Sequence, residues 1–254
     1  MGPLRSERHR LILRGLTEHG ALTVAQINRL LGVSEATVRR DLDALDREGL
    51  IVREHGGASR LPSPGAEPPI FQRTTEEEEK RAIALATVLL VEDGQTVFLS
   101  SGTTVLAVAR ALGLRRHLTV ITNALNVASL FVERPETEVV VTGGVLRHSE
   151  QSLVGHLVSE TLRDLRADVV IMGMRGIDVE HGLTSEFLAE VQTDRAIIKS
   201  APRVILVADH TKFGRIAPVR VAALEAVHTI VTDRGTPASI REQIEGRGVG
   251  VVVA

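Results

Sequence analysis

The chain contains no cysteine, no tryptophan and no tyrosine. Without cysteine there is no disulfide framework, no thiolate zinc site and no thiol nucleophile. Without tryptophan and tyrosine there is no aromatic platform of the kind that stacks single-stranded nucleic acid. The five phenylalanines, Phe71, Phe98, Phe131, Phe187 and Phe213, read instead as core or linker anchors. No apolar run approaches the roughly 20 residues of a membrane span. The opening stretch, MGPLRSERHRLILRGL, is too charged for a secretory signal, so a cytoplasmic chain with no membrane partner is expected. Excess charge is missing too: 30 basic and 32 acidic residues leave a net −2, so the molecule as a whole is no polyanion binder.

The common catalytic signatures are also missing. There is no phosphate loop G-x-x-x-x-G-K-[ST], no G-x-S-x-G and no H-E-x-x-H. Gly246, Gly248 and Gly250 lead into a strand rather than a helix, which fails the dinucleotide pattern. His148, His156, His181 and His210 stand singly, so neither a metal site nor a cofactor is expected.

What is there begins with residues 32–58, GVSEATVRRDLDALDREGLIVREHGGA. Ser34 can cap a helix over 34–48, and Glu35 suits the positive end of its dipole. Val38, Leu42 and Leu45 recur at helical spacing and make one apolar face, leaving Ala36, Thr37, Arg39 and Arg40 outward. Upstream, residues 23–31 form a shorter apolar helix that ends at Gly32, and residues 5–19 form a first helix closed by Gly20. Helix, tight turn and capped second helix are the layout of a helix-turn-helix, whose second helix enters the DNA major groove. Leu50 to Arg53 then reads as a strand, Glu54 to Gly57 as the turn of a wing, and Ala21-Leu22 as a short strand against it. Residues 1–60 hold ten arginines against eight acids, so any attraction to DNA comes from where the arginines sit.

Residues 59–75, SRLPSPGAEPPIFQRTT, carry four prolines and read as a linker. Glu76 to Glu79 are the solvated first turn of a helix running to Leu90. Beyond it, continuous apolar strands alternate with helices: strands at 96–99, 118–121, 138–141, 168–172, 203–207, 228–231 and 249–253. That alternation predicts an α/β domain with a mostly parallel sheet covered on both faces. The expected division is 1–58 DNA-binding, 59–75 linker and 76–254 α/β domain.

Ligands of such sheets bind beyond the carboxyl ends of the strands, and this chain collects small and polar residues there. Ser100-Ser101-Gly102-Thr103-Thr104 opens a helix with a glycine and hydroxyls, a ready phosphate site. Thr122-Asn123, Thr142-Gly143-Gly144, Gly173 to Asp178 and Asp209 to Lys212 stand at further strand ends. Asp209 could accept from sugar hydroxyls and Lys212 offer a charge to phosphate; a surface ion pair is the plainer alternative. Arg147 is equally a second anion ligand or a solvated loop arginine.

Taken together, V-S-x-x-T-V-R-R-D-L, the REHGGA wing, FLSSGTT, VITN, TGG, MGMRGID, VADHTKFG and IVTD resemble the DeoR family of bacterial sugar-metabolism repressors over residues 5–233. The resemblance implies a winged helix-turn-helix followed by a sensor similar in fold to ribose-5-phosphate isomerase and glucosamine-phosphate deaminase. It implies double-stranded operator DNA and a small phosphorylated sugar as partners, with the chain paired as a homodimer or homotetramer. Ser34, Thr37, Arg39 and Arg40 carry over as DNA contacts, with Arg53 and His55 reaching the backbone from the wing. The ligand loops carry over onto Ser101, Gly102, Thr103, Thr104, Thr122, Asn123, Gly143, Gly144, Gly176, Asp178, Asp209 and Lys212. The chain departs from the isomerases in one respect: no lysine follows Asp178 before Lys199. A sensor that keeps a binding site and has lost its chemistry is expected, against the alternative of a phosphosugar isomerase or deaminase fused to a DNA-binding module.

Overall fold

The computed structural model describes residues 5–19, 21–47, 50–54, 56–60, 70, 73 and 75–254. His55, Phe71, Gly20 and most of the proline-rich stretch lie outside the described residues. The chain divides into two compact units, Met1–Glu67 and Pro68–Ala254.

The first unit consists of α1 (Arg5–His19), β1 (Ala21–Thr23), α2 (Val24–Leu31), α3 (Glu35–Arg47), β2 (Ile51–Glu54) and β3 (Gly57–Arg60). Thr23 starts α2 through a reciprocal cap: its hydroxyl accepts from Gln26 N at 3.2 Å, and its own N–H donates to Gln26 Oε1 at 2.8 Å. Gly32, at φ +64°, ends the helix in the left-handed conformation that a side chain resists. Ser34 caps α3, its hydroxyl accepting from Thr37 N at 3.3 Å. Ile12, Leu16, Ile27, Val38, Leu42, Leu45 and Ile51 are buried together where the helices and wing meet. The wing is antiparallel in the order β1-β3-β2, Thr23 facing Gly57.

The second unit runs α4 (Glu77–Val88), β4 (Thr96–Leu99), α5 (Thr103–Ala111), β5 (Thr119–Thr122), α6 (Leu125–Ser129) and β6 (Glu138–Val141). It continues with β7 (Val145–Arg147), β8 (Ser152–Val154), α7 (His156–Asp164), β9 (Val169–Met172), β10 (Gly176–Asp178), β11 (Gly182–Ser185) and α8 (Leu188–Lys199). It closes with β12 (Arg203–Val207), β13 (Val219–Ala222), β14 (Thr229–Thr232), α9 (Ala238–Glu245) and β15 (Gly250–Val253). Seven strands pair in parallel in the order β15-β14-β12-β9-β4-β5-β6. Side chains alternate across the sheet. Phe98, Val170 and Leu206 join one core, and Val97, Leu99, Val169 and Ile205 join the core on the opposite face. Both faces are therefore covered, which is why the strands read as unbroken apolar runs.

Between Gly144 and Asp168 the sequence reading predicts no element, and the structure has three: β7, β8 and α7. The β7–β8 hairpin pairs Val145 with Val154, and each strand is too short to show a period. Strands β10, β11 and β13 form a separate small antiparallel sheet, equally brief and equally unsignalled.

Candidate functional site

The outward side of α3 is small and cationic. Ser34, Ala36, Arg39 and Arg40 are exposed and Thr37 is half-buried. Ser34 and Thr37 share a hydroxyl–hydroxyl hydrogen bond of 2.9 Å. Arg39 lies along the helix toward Glu35 at 3.4 Å, and Arg40 Nε donates to Ala36 O at 3.3 Å. Both guanidiniums are held loosely by their own helix and can swing outward. Arg53 is placed differently. Its Nε donates to Asp43 Oδ1 and its Nη1 to Gly57 O, each at 3.1 Å, so it braces β2 against α3 and the wing.

In the second unit the strand order sets the carboxyl ends of β12, β9, β4, β5 and β6 side by side. Short hydrogen bonds lock them. Ser100 N donates to Ile171 O at 3.1 Å, Thr122 Oγ1 to Leu99 O at 2.7 Å, and Thr142 N to Thr122 O at 2.9 Å. Asn123 is committed to β8, exchanging bonds of 2.9 and 2.7 Å with the Leu153 backbone. Thr122 and Asn123 are buried and act first as the mortar of this edge. Gly102, at φ +123°, turns the chain from β4 into α5. The first N–H groups of α5 have no acceptor within the helix, the usual setting for an anion. Gly143 is exposed, and Gly144, at φ +140°, passes against the backbone of Val154 so closely that a side chain would collide.

Beside these ends lie Asp209 and Lys212, which the spacing singles out, and Lys80, which it does not. Lys80 is buried on the inward stripe of α4 with Ile83, Ala84, Thr87 and Val88, and donates to Thr75 O. Burial pushes its ammonium below the usual lysine range, Asp209 opposes this, and Lys212 adds to it. Lys212 is lowered by its own burial, with Asp209 opposing and Arg215, Arg175 and Arg73 reinforcing. Asp209 is buried, and its Oδ1 accepts from Thr211 N at 3.0 Å, starting the 3-10 turn His210–Lys212. Lys80, Asp209 and Lys212 thus form one electrostatic group, more enclosed than a surface ion pair.

A second group surrounds Phe187. Arg147 Cζ lies 3.7 Å and Arg175 Cζ 5.2 Å from the centre of its ring. Arg147 also pairs with Glu190, so it is neither solvated nor simply waiting for an anion. Arg175 donates to Glu150 at 2.5 Å, and Arg215 to Glu186 at 2.7 Å. Burial lowers the guanidinium pKa of Arg147 and Arg175 and raises the carboxyl of Asp194 to about 7, the two arginines opposing that rise.

Gly176 and Asp178 belong to the small sheet. A side chain at Gly176 would strike Arg215 O and Thr184 Oγ1, both 2.4 Å from where its Cβ would stand. Asp178 Oδ1 accepts from Glu180 N at 2.9 Å and His181 N at 2.8 Å, and meets His181 Nδ1 at 2.8 Å. It therefore holds the tip of the β10–β11 hairpin. At β14, Asp233 receives His210 N at 2.7 Å and Gly235 N at 2.8 Å, another cluster reached only through folding.

Residues 8–63 match the model of the DeoR-like helix-turn-helix domain, and residues 75–234 that of the DeoR C terminal sensor domain. The chain belongs to the DeoR family. The HTH-type transcriptional repressor CsqR of Escherichia coli (strain K12) is 34% identical over 246 residues, covering 97% of this chain and 94% of its own. The glycerol-3-phosphate regulon repressor of the same organism is 35% identical over 239 residues, 94% of each chain. Ribose 5-phosphate isomerase A of Methanocaldococcus jannaschii overlaps 55% of each chain at 18% identity with a TM-score of 0.40. As a DeoR-family regulator, the chain joins a helix-turn-helix that binds DNA to a sensor domain. Among the described residues no helix is long and apolar enough to cross a membrane.

Proposed function

We propose that the protein is a cytoplasmic repressor of carbohydrate-metabolism genes, controlled by a phosphorylated sugar at the strand ends of its sensor. Arg39 and Arg40, with Ser34 and Thr37, read operator DNA, and Arg53 with His55 steadies the wing on the backbone. A homodimer or homotetramer sets two α3 helices on half-sites related by two-fold symmetry. The observation that carries the effector reading is the cavity lined by Arg73 and Lys80 together with Thr103, the residue that opens α5 after the Gly102 turn, with the charges of Asp209 and Lys212 within reach of Lys80. Two lysines whose burial opposes their charge gain from an arriving phosphate, and Asp209 suits a hydroxyl. Ser101, Thr103 and Thr104 supply hydroxyls and helix-opening N–H groups, Gly143 and Gly144 a close backbone approach, and Arg147 further positive charge. Effector control requires unequal affinity for the two states, typically about 1–3 kcal/mol of coupling.

Binding without turnover is the reading that fits Asp178. Its Oδ1 is occupied at a hairpin tip, and no lysine follows before Lys199. The test is to titrate pentose, hexose, amino-sugar and glycerol phosphates into the complex of the protein with DNA from upstream of its own gene. One of them should dissociate the complex and be recovered unchanged. Retention of the complex with every compound removes the effector reading, and conversion of any of them revives an enzyme.

A further inference from the structure

The chain enters the sensor unit through Ile70 and Arg73, and both are fastened to the same turn. Ile70 is buried, and its N–H donates to Ser149 O at 2.7 Å. Arg73 reaches the next residue, Nη1 donating to Glu150 Oε2 at 3.2 Å and Nη2 pairing with Oε1. That same Oε1 accepts from Arg175 Nη2 at 2.5 Å. The Glu150 side chain is only 5% exposed, and those of Arg73 and Arg175 are 11% and 13%. A carboxylate at this depth needs a cation, and Arg73, which reaches both of its oxygens, supplies one by itself. Arg175, in turn, stands in the loop after β9, at the carboxyl end of the sheet, with Lys212 within reach of its charge. One oxygen thus joins the end of the linker to the edge of the effector cleft.

We infer that Glu150 is a positioning residue that couples occupancy of the cleft to the docking of Ile70 and Arg73, which lie on the stretch of chain that leads in from the DNA-binding unit. Its two guanidiniums repel each other across a shared oxygen. An anion that draws Arg175 toward itself relieves that repulsion, leaves Oε1 to Arg73, and tightens the hold on the linker. A ligand shifts an equilibrium only through such a difference between states. The identity of the anion rests on the effector reading above; the shared carboxylate does not.

The test is amide hydrogen exchange at Ile70 in the full-length protein, since that N–H reports docking directly. Glu150→Gln and Arg73→Ala should each speed its exchange by about tenfold, as local opening becomes easier. Arg73→Ala keeps the Glu150–Arg175 pair, so it serves if Glu150→Gln folds poorly. Arg175→Met, which imitates withdrawal of that guanidinium, should slow exchange below the wild-type rate with no ligand present. Inorganic phosphate and glycerol 3-phosphate, with binding followed by calorimetry, should slow exchange in the wild type and leave it unchanged in Arg73→Ala. Exchange that ignores Arg73→Ala, or that speeds up or stays level in Arg175→Met, overturns the coupling. So does a probe that binds the wild type without slowing Ile70. Slower exchange in Arg175→Met with no probe bound supports the coupling and leaves the phosphate reading as the one that failed.

Discussion

Arg8 in α1 and Asp41 in α3 form a two-pronged ion pair, Nε to Oδ2 at 2.6 Å and Nη2 to Oδ1 at 3.0 Å, on a carboxylate that is almost wholly buried. It pins the helix that carries Arg39 and Arg40 to the helix behind it. Removing one partner of a buried pair strands the other, so Asp41→Ala should destabilise the first unit by about 3 kcal/mol. Burial pushes the Asp41 carboxyl up, but the Arg8 hydrogen bonds and charge, with His9, outweigh it and hold it below the usual range. A folded value below the unfolded one means stability is complete above the unfolded range near pH ~4 and is lost as pH falls through the folded value. Urea melts across the acid range should show this dependence in the wild type and lose it in Asp41→Ala.

Gly57 faces Thr23 across the wing, where a Cβ would come within 2.3 Å of Leu22 O and 2.9 Å of Thr23 Cα. Both are backbone atoms and cannot rotate away. Gly57→Ala should therefore cost about 1–3 kcal/mol, as overpacking does, and disturb the β1–β3 register. Gly56, at φ +86° but with open space around it, should lose only about 1 kcal/mol as alanine. Melting of the two variants decides between them.

Arg40→Ala removes an exposed guanidinium whose bond to Ala36 O is local, so the fold should be unchanged. Operator binding should weaken by about 1–3 kcal/mol if the arginine reads a base edge, with relaxed preference at that base. A uniform loss on all sequences assigns it to phosphate, and no loss takes it off the DNA.

Lys212→Met should weaken sugar-phosphate binding by about tenfold or more, the worth of one charge-assisted hydrogen bond. Asp209, which faces Lys212, keeps Lys80 as a counter-charge in this variant, so the fold should survive, which a thermal melt without ligand checks. A variant that binds as well as the wild type excludes Lys212 from the cleft.

Asp194 gives a pH dependence of the opposite sign to Asp41. Burial raises its carboxyl to about 7, against the Arg147 and Arg175 charges. The folded state then holds a proton that the unfolded state has released, so this contribution to stability declines as pH rises from ~4 toward neutrality. Once ionised, Asp194 offsets the two arginines, and anion affinity should fall as pH rises through that value. Asp194→Asn should flatten the affinity profile, which titrations at several pH values will show.

The local elements were legible because they are governed by neighbours in the chain. The Ser34 cap, the Gly32 stop and the Val38, Leu42, Leu45 face needed nothing beyond the helix period, and seven apolar runs declared a covered parallel sheet. The row of small polar residues at the strand ends could likewise be read, since a parallel sheet brings such ends to one side. The brief strands of the β7–β8 hairpin and the β10–β11–β13 sheet carry too few residues for any period to show. Lys80 was hidden for another reason: it looked like the end of a charged helix start, although it shares its stripe with Ile83 and Val88. Arg73 and Glu150 meet across 77 residues of chain, and the bonds that Arg53 and Asp178 make inside their own units are likewise set by the fold. Which charges pair, and how deeply, is decided by burial and distance in the folded chain, and one-dimensional spacing carries neither.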